Sequence, residues 1–194
     1  MSAEKKKLAI LISGRGSNML SIMKACEDED YPAQIAVVLS NRPDAKGLDS
    51  AENAGIPAIC VNHKDYPDRE SFERALITAL APYTVDLVIL AGFMRVLTPV
   101  FIRHFEGKIL NIHPSLLPDY KGLDTHARAI ADGKKEAGCT VHYVVPELDS
   151  GPIIVQKRVP ILAGDTPDTL AARVLEQEHA AYPEAIRIAL SVSA

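Results

Sequence analysis

The chain has 194 residues, 47% hydrophobic and 24% charged, which suits one globular domain over 1–194. Aromatics are 5% and Trp is absent, so the core is expected to be mainly aliphatic. A formal net charge of -4 argues against a general nucleic-acid binder, which needs a basic face, but leaves room for a small phosphate ligand.

Leu8 to Ile12 is an apolar run ended by Ser13-Gly14 and reads as a buried strand. It is too short for a signal-peptide core or a membrane span, so no membrane partner and a cytoplasmic protein are expected. Residues 18–29 read as a helix with Leu20, Ile22 and Met23 on one side. Strands follow at 35–39 and 58–61, with a short helix between them at 47–54 that Gly55 stops. Residues 69–80 form an amphipathic helix, with Phe72, Leu76 and Leu80 four apart. A strand at 87–91, a proline-started helix at 99–105 and a strand at 108–112 complete a strand–helix alternation. That alternation predicts an α/β fold, a doubly wound, mostly parallel sheet with ligands bound beyond the carboxyl ends of its strands. Residues 125–132 read as a helix stopped by Gly133, and 139–145 and 153–159 as an antiparallel strand pair. Thr166-Pro167 caps and starts a terminal helix to about residue 188, which Pro183 is expected to kink or break.

The cysteines Cys26, Cys60 and Cys139 form no Cys-x-x-Cys pair and are expected to be free buried thiols in a reducing compartment. Glu176 and His179 stand at Glu-x-x-His spacing, but one such pair lacks the second ligand set a metal site requires, so no metal is expected.

Ser13-Gly14-Arg15-Gly16-Ser17-Asn18 joins the first strand to a helix, where exposed N–H groups make an anion site. Met19 replaces the third glycine of a dinucleotide fingerprint, and Ser40 and Asn41 stand where an acidic residue would follow the second strand. A phosphate loop of another kind and a tight turn weigh equally there. Asn111 and His113 alternate at the end of a strand, and Pro114 and Pro118 stiffen the exit. An amide donor beside an imidazole suits a developing oxyanion. Asp149, in a loop between two strands, reaches His113 if that loop folds over, although an ordinary Asp-Ser-Gly turn is the simpler reading of the segment by itself. The apolar stretch 91–97 suits a flat aromatic ligand or a buried core loop.

Ile-Ser-Gly-Arg-Gly-Ser-Asn, Ala-Gly-Phe-Met-Arg-Val-Leu, Asn-Ile-His-Pro-Ser-Leu-Leu-Pro and Leu-Asp-Ser-Gly-Pro, in that order, resemble the glycinamide ribonucleotide formyltransferases of purine biosynthesis. The resemblance covers residues 8 to about 190 and implies a Rossmann-like formyltransferase fold. It implies Asn111, His113 and Asp149 as the catalytic set. It implies Gly16, Ser17, Asn18, Pro114, Ser115 and Glu178 for the substrate's phosphate and ribose. It implies Arg69, Met94, Arg95, Val96, Leu97 and Asn111, with Val145, Pro146, Glu147, Leu148 and Asp149, for the folate. The implied co-substrate is 10-formyltetrahydrofolate, the acceptor is glycinamide ribonucleotide, and the chain works as a monomer or homodimer. Leu175 and Asp124 depart from the family's usual residues at two substrate contacts.

The resemblance further implies attack of the free amine on the formyl carbon, with the oxyanion held by Asn111 and protonated His113 and with Asp149 assisting proton transfer. A methionyl-tRNA formyltransferase would be expected to add a C-terminal domain and a basic surface, and a formyltetrahydrofolate hydrolase an N-terminal regulatory domain. A non-catalytic folate- or nucleotide-binding module and an oxidoreductase are the readings from other classes.

Overall fold

A computed structural model describes residues 4–192. The chain divides into two compact units, residues 1–110 and 111–194. The hydrogen-bonded strand order is β3-β2-β1-β4-β5-β6-β7.

The first unit holds β1 (Lys6–Ile12), α1 (Ser17–Cys26), β2 (Ala33–Ser40), α2 (Lys46–Asn53), β3 (Ala58–Cys60), α3 (Arg69–Leu80), β4 (Leu87–Leu90) and α4 (Pro99–His104). β1 pairs in parallel with β2 and with β4, and β2 in parallel with β3. Leu8 to Ile12 are fully buried, as a central parallel strand covered on both faces requires. Asp86 fixes the start of the β1–β4 pairing. Its carboxylate accepts from Lys7 N at 2.8 Å, and its own N–H donates to Lys7 O at 2.8 Å.

α1 differs from the expected face. Met19 and Ile22 are buried, while Leu20 is exposed. The helix starts at Ser17, and the inward stripe follows the i, i+3 spacing of Met19 and Ile22, which leaves Leu20 outside. α3 is as expected, with Phe72, Leu76 and Leu80 buried and Asp68 capping through Ser71 N at 2.7 Å. The helix also buries Glu73, whose carboxylate accepts from Thr98 N at 2.7 Å, Thr98 Oγ1 at 2.5 Å and Phe101 N at 3.3 Å. A buried carboxylate is tolerated there because α4 begins at Pro99 and leaves its first N–H groups without helical partners.

β5 (Ile109–His113) carries the chain into the second unit. There α5 (Thr125–Ala131) is followed by β6 (Glu136–Tyr143), β7 (Ile153–Pro160) and α6 (Pro167–Val192). β6 and β7 are antiparallel, with a register shift between Val141 and His142. β6 begins and ends earlier than expected, so Val144 and Val145 belong to the following loop. β7 buries Val155 and Val159, which share one face, and exposes Ile153, which lies beyond the register shift.

α6 lies against β6 and β7. Thr166 caps it through Thr169 N at 3.2 Å, as expected. The expected break at Pro183 does not occur: the helix is continuous over 26 residues. An interior proline costs about 3 kcal/mol. Here it sits within the buried stripe Glu178, Ala181, Tyr182, Ala185 and Ile186, whose burial offsets that cost. The thiols also differ from expectation. Cys139 is buried, Cys26 is half-buried and Cys60 is exposed at the end of β3, the edge strand in the order of the sheet.

Candidate active site

In the second unit, the last residues of β5 present Asn111 and His113 at alternate positions, with His113 buried. The imidazole Nε2 lies 2.8 Å from Tyr120 O. A carbonyl only accepts, so Nε2 carries a proton. Nδ1 lies 3.5 Å from Asp149 Oδ2. That is the outer limit of a hydrogen bond. Asp149 itself has φ 48°, and its Oδ2 accepts from Gly122 N at 2.9 Å. Lys121 Nζ donates to Ser150 Oγ at 2.6 Å, so the loop bearing Asp149 is tied at adjacent residues to the segment that supplies the Tyr120 carbonyl. The expected reach of Asp149 to His113 is therefore observed.

The exit from β5 is fixed by hydrogen bonds as well as by proline. Thr140 Oγ1 donates to Ser115 O at 2.7 Å and accepts from Leu117 N at 3.1 Å. Gln156 Nε2 donates to Leu117 O at 2.8 Å, and Thr125 Oγ1 to Pro114 O at 2.8 Å. Ser115 is buried, and its hydroxyl donates to Asp119 O at 2.6 Å. His126 faces a small cavity lined by Pro114, Ser115, Tyr120 and Thr125, and its Nδ1 has no hydrogen-bond partner among the described residues. Burial, and then the neighbouring His113, push its pKa below the usual imidazole value.

In the first unit, Gly16 caps α1 at φ 70°, ψ 43°, a left-handed conformation that favours glycine. Ser17 begins the helix, and Asn18 is buried. The loop is braced from behind by Gly47, whose N–H donates to Gly14 O at 3.0 Å. A Cβ at Gly47 would clash with Ile12 Cδ1 and press on Gly14 O at 3.2 Å and Arg15 O at 3.3 Å. Ser13 Oγ donates to Asn41 Oδ1 at 2.5 Å and accepts from Met94 N at 2.8 Å, which fastens the 91–97 loop to the end of β1. Among the described residues, no group of three or more His, Cys, Asp or Glu is placed to hold a metal. Among the described residues, no helix is long and apolar enough to cross a membrane.

A sequence model of the formyl transferase family matches residues 6–186. The chain is 47% identical over 176 residues to phosphoribosylglycinamide formyltransferase of Escherichia coli, covering 91% of this chain and 83% of that one. It is 45% identical to the trifunctional purine biosynthetic protein adenosine-3 of Homo sapiens, covering 98% of this chain and 19% of that protein. The crystal structure of phosphoribosylglycinamide formyltransferase from Brucella melitensis superposes with a TM-score of 0.91 at 48% identity, covering 95% of both chains. The chain belongs to the phosphoribosylglycinamide formyltransferase family.

The expected site residues of this formyl transferase fall into two groups. Asn111, His113, Pro114, Ser115, Val145, Pro146, Glu147, Leu148, Asp149 and Glu178 lie in the second unit, and the others in the first. In the first unit, Met94 and Val96 are exposed, while Leu97 is buried and turned into the core. Arg95 lies 5.9 Å from the centroid of the Phe72 ring. Arg69 is exposed on the first turn of α3. In the second, Leu148 is exposed, Glu178 is buried and Leu175 is half-buried. Asp124 caps α5 at φ 56°.

Sequence reasoning missed His142, Glu73 and Gly47. His142 is buried, with Nε2 3.3 Å from Asn111 Nδ2 and 3.9 Å from Asp149 Oδ1. The signal available was a histidine in a strand whose inner residues, Thr140 apart, are apolar. No sequence pattern signals that it meets Asn111.

Proposed function

We propose that this chain transfers the formyl group of 10-formyltetrahydrofolate to the amine of 5'-phosphoribosyl-glycinamide, with residues 1–194 acting as a single formyltransferase domain. The observation that carries the reading is the buried His113, with one imidazole nitrogen held by a backbone carbonyl and the other facing Asp149, on the same strand end as Asn111. The relatives' names support the acceptor, and the family match across both units supports the single working domain.

The free amine attacks the formyl carbon, a C–N bond forms and the formyl oxygen becomes an oxyanion. The Asn111 amide and protonated His113 stabilise that oxygen. Because Nε2 is committed to Tyr120, Nδ1 is the ring nitrogen that serves it. Asp149 orients the ring and helps carry the amine's proton to the folate nitrogen as the carbonyl re-forms and the C–N bond to that nitrogen breaks, which releases tetrahydrofolate. No covalent enzyme intermediate is required, since both reactants are held side by side. Gly16, Ser17 and Asn18 hold the substrate phosphate through the start of α1, with Pro114 and Ser115, and Glu178 binds the ribose. Arg69 meets the folate's glutamate tail. Met94 to Leu97, Asn111 and Val145 to Asp149 line the pterin site. The exposed apolar side chains of Met94, Val96 and Leu148 support that role. We assign no metal and no nucleic-acid or membrane partner, a cytoplasmic location and a monomeric or homodimeric state.

The test is an absorbance assay with a 10-formyl folate and glycinamide ribonucleotide, with and without the acceptor. Turnover is expected only with the acceptor. Losing one oxyanion donor costs about 3 kcal/mol, so His113→Ala is expected to turn over roughly 100-fold slower with little change in substrate binding. Acceptor-independent turnover, or a fully active His113→Ala enzyme, would overturn the reading.

A further inference from the structure

β6 buries two polar residues, Thr140 and His142, among apolar neighbours. Thr140 is fully used in holding the β5 exit. His142 sits at the β6–β7 register shift, where β7 carries the extra residue Ile154. Its Nδ1 lies 2.9 Å from Tyr143 O. A carbonyl only accepts, so the neutral ring carries its proton on Nδ1 and offers a lone pair at Nε2. That lone pair lies 3.3 Å from Asn111 Nδ2 and can be met only by an N–H. The histidine therefore decides which end of the Asn111 amide points where.

We infer that His142 is a positioning residue for Asn111. Held as the neutral Nδ1–H imidazole, it fixes the amide with its second N–H free for the reacting oxygen. The inference rests on the formyl-transfer reading above. A protonated His142 presents an N–H to the Asn111 amino group, two donors face each other, and the amide turns over. The carbonyl oxygen then stands where a donor is needed, and the oxyanion is repelled.

The surroundings keep the ring neutral. Burial is the largest influence and lowers the His142 pKa. The Tyr143 carbonyl and Asp149, with Oδ1 3.9 Å from Nε2, act in the raising direction, and His113 in the lowering one. The net direction is downward, so the ring is neutral at and above the usual imidazole pKa and gains its proton only at lower pH. Turnover is then lost on the acid side.

The experiment compares His142→Ala, His142→Gln and His113→Ala with the unaltered enzyme, using 10-formyltetrahydrofolate and glycinamide ribonucleotide across pH. Misplacing a reacting group by about 1 Å costs up to about 100-fold, so His142→Ala should lower kcat roughly 10- to 100-fold with both KM values nearly unchanged. Gln offers an acceptor oxygen and does not titrate. It should restore most of kcat and remove the acid limb due to His142. A His142→Ala enzyme with normal kcat, or a His142→Gln enzyme that keeps the limb, overturns the inference while leaving the effect of His113→Ala standing. A fully active His113→Ala enzyme overturns the formyl-transfer reading and this inference with it. Nitrogen NMR of the imidazole in the free protein reads the same point without turnover. The Nδ1–H tautomer, titrating below the usual histidine range, is expected, and an Nε2–H tautomer overturns the inference.

Discussion

Replacing Glu73 with Gln isolates the charge of a carboxylate that is 1% exposed and anchors the end of the 91–97 loop. The carboxylate receives hydrogen bonds from Thr98 N, Thr98 Oγ1 and Phe101 N. Gln has the same shape but only one oxygen. If its NH2 takes the place of Oε1, it faces the N–H of Thr98. If it takes the place of Oε2, it faces the N–H of Phe101. Either way one buried donor loses its acceptor, which costs about 1–3 kcal/mol, and the remaining bonds lose their charge assistance. The sum is about 3 kcal/mol. At 2–4 °C per kcal/mol for a chain of this size, Tm should fall by roughly 6–12 °C. Scanning calorimetry gives the shift, and amide exchange should accelerate at Thr98 and Phe101. A fall of less than about 2 °C with both amides still protected would refute the anchoring role.

Gly47→Ala should push the glycine loop outward through Gly14 O and Arg15 O. A loss of about 1 kcal/mol in phosphate binding appears as a roughly fivefold higher KM for the ribonucleotide with kcat little changed. An unaltered KM would remove this loop from phosphate binding. Asp165 makes a bidentate pair with Arg173 at 2.7 and 2.9 Å, and that guanidinium, with the Leu162 N–H, holds the Asp165 carboxyl well below the usual carboxylate range. A depressed folded pKa stabilises above the unfolded value of about 3.9 and loses that contribution as pH falls towards the folded value. The stability gap between the unaltered chain and Asp165→Asn, measured by urea unfolding, should be constant near neutral pH and narrow steadily below about pH 4. A gap that persists unchanged to pH 2.5 would contradict this.

Local regularity made much of the chain legible in its sequence. The fully apolar run of β1, the i, i+4 stripe of α3 and the Thr-Pro start of α6 are patterns of residues near in sequence, and each appears where it was expected. Asn111 and His113 were readable together because strand periodicity places alternate residues on one face. Their hydrogen-bond partners were not readable. The Tyr120 carbonyl that holds Nε2, the Gly122 N–H that holds Asp149 and the His142 ring that meets Asn111 depend on loop paths and on one register shift. Pro183 makes the same point in reverse: local propensity favoured a break, and the burial of α6 against β6 and β7 decided for a continuous helix. The sequence alone determined the order of elements, the glycine loop and the residue types at the site, because backbone geometry and side-chain chemistry are local. The tautomers, the orientation of the Asn111 amide and the burial of Glu73 were decided only in the tertiary structure, because each depends on donors and acceptors supplied by residues distant in the chain.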